Sequence, residues 1–277
     1  MNYVKDKDKI IITNLEDFNI VQILDCGQIF RYNIDDNIAK VFSIDKMATI
    51  TTYKDKVIIE SEQIDYFEHF FDLNTDYGKI KFILKDDLFL KDAIKFGYGI
   101  RILKNDLFEM IVSFIISANN NISRIKKSID YLCTHFGTRM NGYYAFPRLE
   151  ELKIATVQDY IDAGLGYRAT YMYDTIQCLT YEILNNIKEM NPQQQKDFLV
   201  SLKGIGDKVA NCIMLFGLGV MSSFPVDTWI NKVYNVIMKT NSTDRKKIQI
   251  EMTNRYGGLS GYAQQYFFYY FRENNIK

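Results

Sequence analysis

The chemistry-bearing residues of this 277-residue chain concentrate in two stretches. The first, LKGIGDKVANCIMLFGLG at residues 202–219, breaks a helical pattern at Gly204 and Gly206. It restarts with Lys208 in its opening turn. A cation there opposes the helix dipole, which favours Asp or Glu at that end. Departures of this kind mark either a functional position or a tolerated surface charge. An amine near a positive helix end and shielded from water is biased toward its neutral, nucleophilic form. Cys212 follows at i+4 and shares its helix face. In the second stretch, FPVDTWI at 224–230, Asp227 sits as the N-cap of a helix with apolar positions Ile230, Val233, Tyr234 and Ile237. Each stretch also has a plain reading, the glycines as a stop between two helices and Asp227 as a cap alone.

Other segments break local rules more quietly. The N–H groups of the helix after Gly206 point out of the turn and offer an anion site, so a nucleic-acid phosphate fits there directly or through a bound monovalent cation. Three asparagines in SANNNISRI (117–125) sit within a helical pattern they disfavour, reading also as cap and loop. In AGLGYRATY (163–171) a Gly-X-Gly turn exposes Tyr167 and Arg168 just before a helix. DCGQIFRY (25–32) reads as a turn at Gly27, and most of the aromatics in YAQQYFFYYF (262–271) read as core.

The elements that must hold these residues divide the chain near position 97. Residues 1–97 carry β-type runs, KIIITN, AKVFSI, ATITTY and KVIIES, several alternating apolar with polar. Helical periods follow in DLFEMIVSFIISANNN, RIKKSIDYLCTHFG, TVQDYIDAG, RATYMYDTIQCLTYEIL, NPQQQKDFLVSL, DTWINKVYNVIMK and GYAQQYFFYYFREN. The expected architecture is α+β, an antiparallel sheet domain (1–97) followed by a helical domain (98–277). Composition is that of an ordinary globular protein, 47% hydrophobic and 25% charged. No run is long enough to span a bilayer, and the first residues, MNYVKDKDKIIITN, show no export signal, so a cytoplasmic location is expected. Four scattered cysteines without a CxxC pair and only two histidines argue against zinc, iron–sulfur or histidine chemistry. Net charge is zero, yet residues 1–100 hold 13 basic and 18 acidic side chains, leaving 21 and 16 for the rest. That asymmetry permits a basic face on the second part.

Gly-Ile-Gly-Asp-Lys followed by Pro-Val-Asp resembles the helix–hairpin–helix (HhH-GPD) DNA glycosylase superfamily, and the hairpin lysine resembles its bifunctional members. The NNN, Tyr-Arg and CGQ segments are most similar to the 8-oxoguanine DNA glycosylases. The resemblance implies a TBP-like N-terminal sheet and a helical core that excises 8-oxoguanine opposite cytosine, with AP-lyase activity, from damaged duplex DNA. It implies Lys208 as the nucleophile at C1′ and Asp227 as the carboxylate that supports the hairpin and the charge on the sugar. Gly27 would offer its carbonyl to N7–H of the lesion, with Cys212 and Phe271 on the two faces of the flipped base. Phe267 would stand where the best-known members have a glutamine reading the Watson–Crick edge. Asn119 would fill the vacated space, Arg124 and Arg168 would read the orphaned cytosine, and Tyr167 would wedge beside it. Gly204 and Gly206 would meet the DNA backbone, and Trp229 would replace a phosphate-contacting histidine. No cofactor is implied beyond a structural monovalent cation at the hairpin, and the enzyme would be a nucleoid-associated monomer. Two further readings remain beside this one. A glycosylase for alkylated purines would lack the lysine, and an endonuclease-III-like enzyme would carry cysteines after Cys212. A non-catalytic hairpin module is the other alternative.

Overall fold

A computed structural model describes residues 2–274. Six strands, β1 (Tyr3–Asp6), β2 (Lys9–Ile12), β3 (Tyr32–Asp35), β4 (Ile38–Ser43), β5 (Lys46–Thr52) and β6 (Val57–Glu60), form one antiparallel sheet in the order β1-β2-β6-β5-β4-β3. The alternation read in the sequence fixes its register. Ile10, Ile59, Ile50 and Ala39 are successive cross-strand partners, forming one buried row across four strands. Helices Ile20–Leu24 and Ile64–Phe70 cover that face, contributing Ile23, Leu24, Phe67 and Phe70. Strands β1 and β3 were not marked by apolar alternation. Only Tyr32 of β3 and none of β1 is buried, so edge pairing rather than burial defines them.

The helical part is built round Leu107–Ser117, which is apolar on nearly every side and buried accordingly. The hairpin helix Asp207–Gly217 packs along it, with Phe114 stacked on Phe216 at 5.6 Å. Two sequence expectations shift. RATYMYDTIQCLTYEIL is two helices, Arg168–Cys178 and Tyr181–Glu189, because Leu179 and Thr180 turn extended and the Thr180 hydroxyl caps the second helix at the Ile183 N–H (3.1 Å). The division near residue 97 is also not where the packing changes. The sheet core takes its buried residues from Ile10 to Leu73, with Leu103. Helices Tyr77–Leu84 and Leu90–Phe96 bury their apolar faces in the second core instead. No helix among the described residues is long and apolar enough to cross a membrane.

The two parts are stitched by buried polar groups. Gln28 donates to the carbonyls of Ile23 (2.8 Å) and Arg101 (2.7 Å) and accepts from the Leu103 N–H (2.8 Å). Arg31 donates to the Ile44 and Tyr144 carbonyls and pairs with buried Glu109 at 3.5 Å. Burial pushes the Glu109 carboxyl above the usual range, against the pull of Arg31.

Candidate active site

The segment 25–28 leaves helix Ile20–Leu24 and turns at Gly27, whose φ of +77° only glycine adopts without strain. A Cβ here would also stand 3.1 Å from the Phe268 ring. Arg272 holds this turn from the far side, donating to the Asp25 carbonyl and lying 3.5 Å from its carboxylate. The carbonyl-bearing turn of the first part is thereby laid against helix Ser260–Glu273 of the second.

Opposite it, the chain leaves helix Pro192–Ser201, turns at Gly204 (φ +79°) and enters helix Asp207–Gly217. The turn is pinned from below by Thr175, whose hydroxyl donates to the Lys203 carbonyl (2.9 Å), and by Tyr171 packed under Gly204. Gly206 is the N-cap and has no side-chain cap, and among the described residues nothing lies within 4 Å of where a Cβ would be. Lys208 is half-buried, which is drier than a surface lysine but not sealed off, and its ammonium lies 5.6 Å from the centre of the Phe114 ring. Cys212 lies one turn deeper. Burial pushes its thiol up, while the neighbouring Lys208 pulls it down. Asp227 caps helix Thr228–Met238, accepting from the Ile230 N–H at 2.9 Å with one carboxylate oxygen. The cap bond engages one carboxylate oxygen, and Asp227 also lines the cavity described below.

These groups meet in a cavity of about 70 Å³. Its walls include Gly27, Lys208, Cys212 and Asp227, together with Gln264, Gln265 and Phe268. The sheet part therefore supplies a backbone turn, and the helical part supplies amine, thiol and carboxylate. Among the described residues no group of three or more His, Cys, Asp or Glu side chains is arranged to hold a metal.

A model of the "8-oxoguanine DNA glycosylase, N-terminal domain" matches residues 10–111. The chain is 27% identical to the N-glycosylase/DNA lyase of Saccharomyces cerevisiae, over 91% of this chain and 82% of that one. It is 31% identical to the "Probable N-glycosylase/DNA lyase" of Methanothermobacter thermautotrophicus, over 76% of this chain and 75% of its counterpart. The solved Clostridium acetobutylicum 8-oxoguanine glycosylase/lyase, in complex with double-stranded DNA containing cytosine opposite 8-oxoG, superposes with a TM-score of 0.93. It shares 38% identity and covers 100% of this chain and 99% of that one. The chain belongs to the 8-oxoguanine DNA glycosylase family.

Against the family pattern, the structure corrects one register. Phe267 and Phe271 do not line the cavity. They are 0% and 6% exposed and pack into the core, Phe267 against Tyr256 (6.2 Å between centroids) and Phe271 against Tyr270 (5.6 Å). The cavity-lining pair at the same i, i+4 spacing is Gln264 and Phe268. A slip of three residues turns a helix by about 60°, enough to exchange the cavity face for the core face. The glutamine that faces the cavity at this spacing is Gln264.

The remaining candidates lie outside the cavity and fall into two groups. Asn119 is exposed, in the left-handed region at φ +48°, while Asn120 bonds back to the Ile116 carbonyl (3.1 Å) and Asn121 caps helix Ile122–Phe136. Arg124 lies exposed in that helix's first turn. Tyr167 is 58% exposed, as its turn suggested, but Arg168 is not: it is 6% exposed. Its guanidinium donates to the carbonyls of Ala118 (2.6 Å), Leu165 (3.2 Å) and Asn119 (2.7 Å). The strained turn at Asn119 presents carbonyls that need donors, and Arg168 is drawn inward to supply them. Trp229 is half-buried, with Lys232 4.8 Å from its ring centre. Gln264, Gln265 and Phe268 were missed in the sequence, and their only signal there was the QQYFF run itself.

Proposed function

We propose that this protein excises 8-oxoguanine paired with cytosine from duplex DNA and then cleaves the strand as an AP lyase, acting as a monomer in the cell's DNA-bearing compartment. The observation that carries this reading is the convergence of the Gly27 turn, the Lys208 amine and the Asp227 carboxylate on one small cavity. In this scheme the lone pair of Lys208 Nζ attacks C1′ of the flipped nucleotide. The C1′–N9 bond breaks, its electron pair leaves with the base, and the base takes up the proton that Nζ sheds on bonding to C1′. Asp227 stabilises the positive charge that develops on the sugar meanwhile. Sugar-ring opening gives an imine between C1′ and Lys208, and loss of a C2′ proton then expels the 3′ phosphate.

Selectivity begins at Gly27. Its carbonyl accepts from the N7–H of 8-oxoguanine and faces a bare lone pair on guanine, a difference worth about 1–3 kcal/mol. Gln264 reads the opposite edge, with Phe268 and Cys212 on the faces of the ring. The helix N-terminus after Gly206 holds a DNA phosphate, directly or through a monovalent cation on the turn, and Trp229 lies beside the same strand. Asn119, Arg124 and Tyr167 act on the orphaned cytosine. Arg168 acts through them, by fixing the Asn119 turn.

Borohydride treatment of the protein on an 8-oxoguanine duplex should trap a covalent adduct, strongest with cytosine opposite. Absence of adduct on every lesion duplex tested would overturn the assignment. The register of the last helix has its own test. Phe268→Ala should lower the single-turnover excision rate or lesion affinity about tenfold, the loss of one aromatic–base stack. Phe271→Ala should instead cost about 3–5 kcal/mol of stability in thermal unfolding. If Phe271→Ala loses excision without loss of stability, the earlier register stands.

A further inference from the structure

Gln265 lines the same cavity but has no part in the scheme above. It is 2% exposed, and its Nε2 donates to Gln264 Oε1 at 3.1 Å. Gln264 in turn directs its own Nε2 at the Pro225 carbonyl, 3.4 Å away, in the loop that leads to Asp227. The two carboxamides and the Pro225 carbonyl thus form a short chain of hydrogen bonds across one wall. The chain ends on Gln265 Oε1, which is buried and accepts from no group among the described residues. A buried acceptor left unpaired is destabilising, and this one, unlike most of the other unpaired buried atoms, belongs to a residue that lines the cavity.

We propose that Gln265 is a specificity-determining residue. It fixes the orientation of the Gln264 carboxamide and presents its own oxygen as a second acceptor for the donor edge of a guanine-type base. This rests on the proposed function and goes beyond it by adding a second acceptor to the edge that Gln264 reads. The N1–H and 2-amino groups of 8-oxoguanine are donors that match two acceptors. 8-Oxoadenine offers a lone pair at N1 and a hydrogen at C2 in their place, so it leaves both acceptors unmatched. The acceptor would thus reject an adenine-type lesion at the edge opposite the one read by Gly27.

The experiment compares kcat/KM for 8-oxoguanine and 8-oxoadenine duplexes in the wild type, in Gln265→Met and in Gln265→Glu. Met keeps the length of the side chain and removes both polar atoms. The preference for 8-oxoguanine should fall about tenfold or more in Gln265→Met, chiefly through slower 8-oxoguanine excision. In Gln265→Glu a protonated carboxylic acid reproduces both the donor and the acceptor of the amide, whereas a carboxylate repels Gln264 Oε1. Its preference should approach wild type at acidic pH and fall as pH rises, a dependence that taking the ratio of two lesions isolates from the pH response of the chemistry. An unchanged preference in Gln265→Met, or equal loss on both lesions, overturns the assignment. A Gln265→Glu preference that stays lost even at acidic pH overturns it too, and serves if the Met variant does not fold. Wild-type protein that forms no borohydride adduct would sink the proposed function itself; an adduct with an unchanged preference would sink Gln265 alone.

Discussion

Replacing Lys208 with glutamine should abolish both borohydride trapping and base excision while leaving lesion-duplex affinity within a few-fold of wild type. Glutamine keeps the length and polarity of the side chain but has no basic lone pair, so the covalent route is closed. Losses on the order of 10⁴-fold or more are typical when a nucleophile is removed. The fold should tolerate the change, because Lys208 is half-buried at a helix start where a cation is unfavourable in any case. Thermal unfolding would therefore be unchanged or slightly raised. Excision that persists at the wild-type rate in Lys208→Gln would reassign the nucleophile, and lost DNA affinity would turn Lys208 into a phosphate contact.

Asp227→Asn separates two roles that one carboxylate combines. Asparagine is as good an N-cap as aspartate, so the bond to the Ile230 N–H survives and stability should change by less than about 1 kcal/mol. The negative charge facing the cavity does not survive. Excision should slow about 10²–10³-fold, the cost of removing one preorganised charge from a transition state, with little change in DNA binding. Single-turnover kinetics beside a melting curve would decide it. A large loss of stability with proportionate loss of activity would leave Asp227 a cap and nothing more.

What was legible in the sequence follows from how local each signal is. The hairpin could be read because Gly204, Gly206 and Lys208 each break a local preference within five residues. Strands such as Ile38–Ser43 could be read because one face is buried and the other is not, which writes a period of two into the side chains. The register of Ser260–Glu273 could not be read, since that helix is buried on almost every side and has no polar stripe to set its phase. Phe267 and Phe268 are equivalent by type, and only the position of Gly27 in space distinguishes them. Arg168 was misjudged for a related reason. Its neighbours in sequence promised exposure, but the carbonyls that draw it inward belong to residues fifty positions earlier. Gln28 and Glu109, which join the two parts, gave no signal because their partners lie far along the chain.

The cavity of about 70 Å³ is far smaller than the roughly 300 Å³ and upward of ordinary ligand pockets. A purine is larger than this space, so Phe268 and the side chains around it must give way before the proposed base can be seated beside Gly27. The discrimination assigned to the Gly27 carbonyl is then exercised only after that displacement.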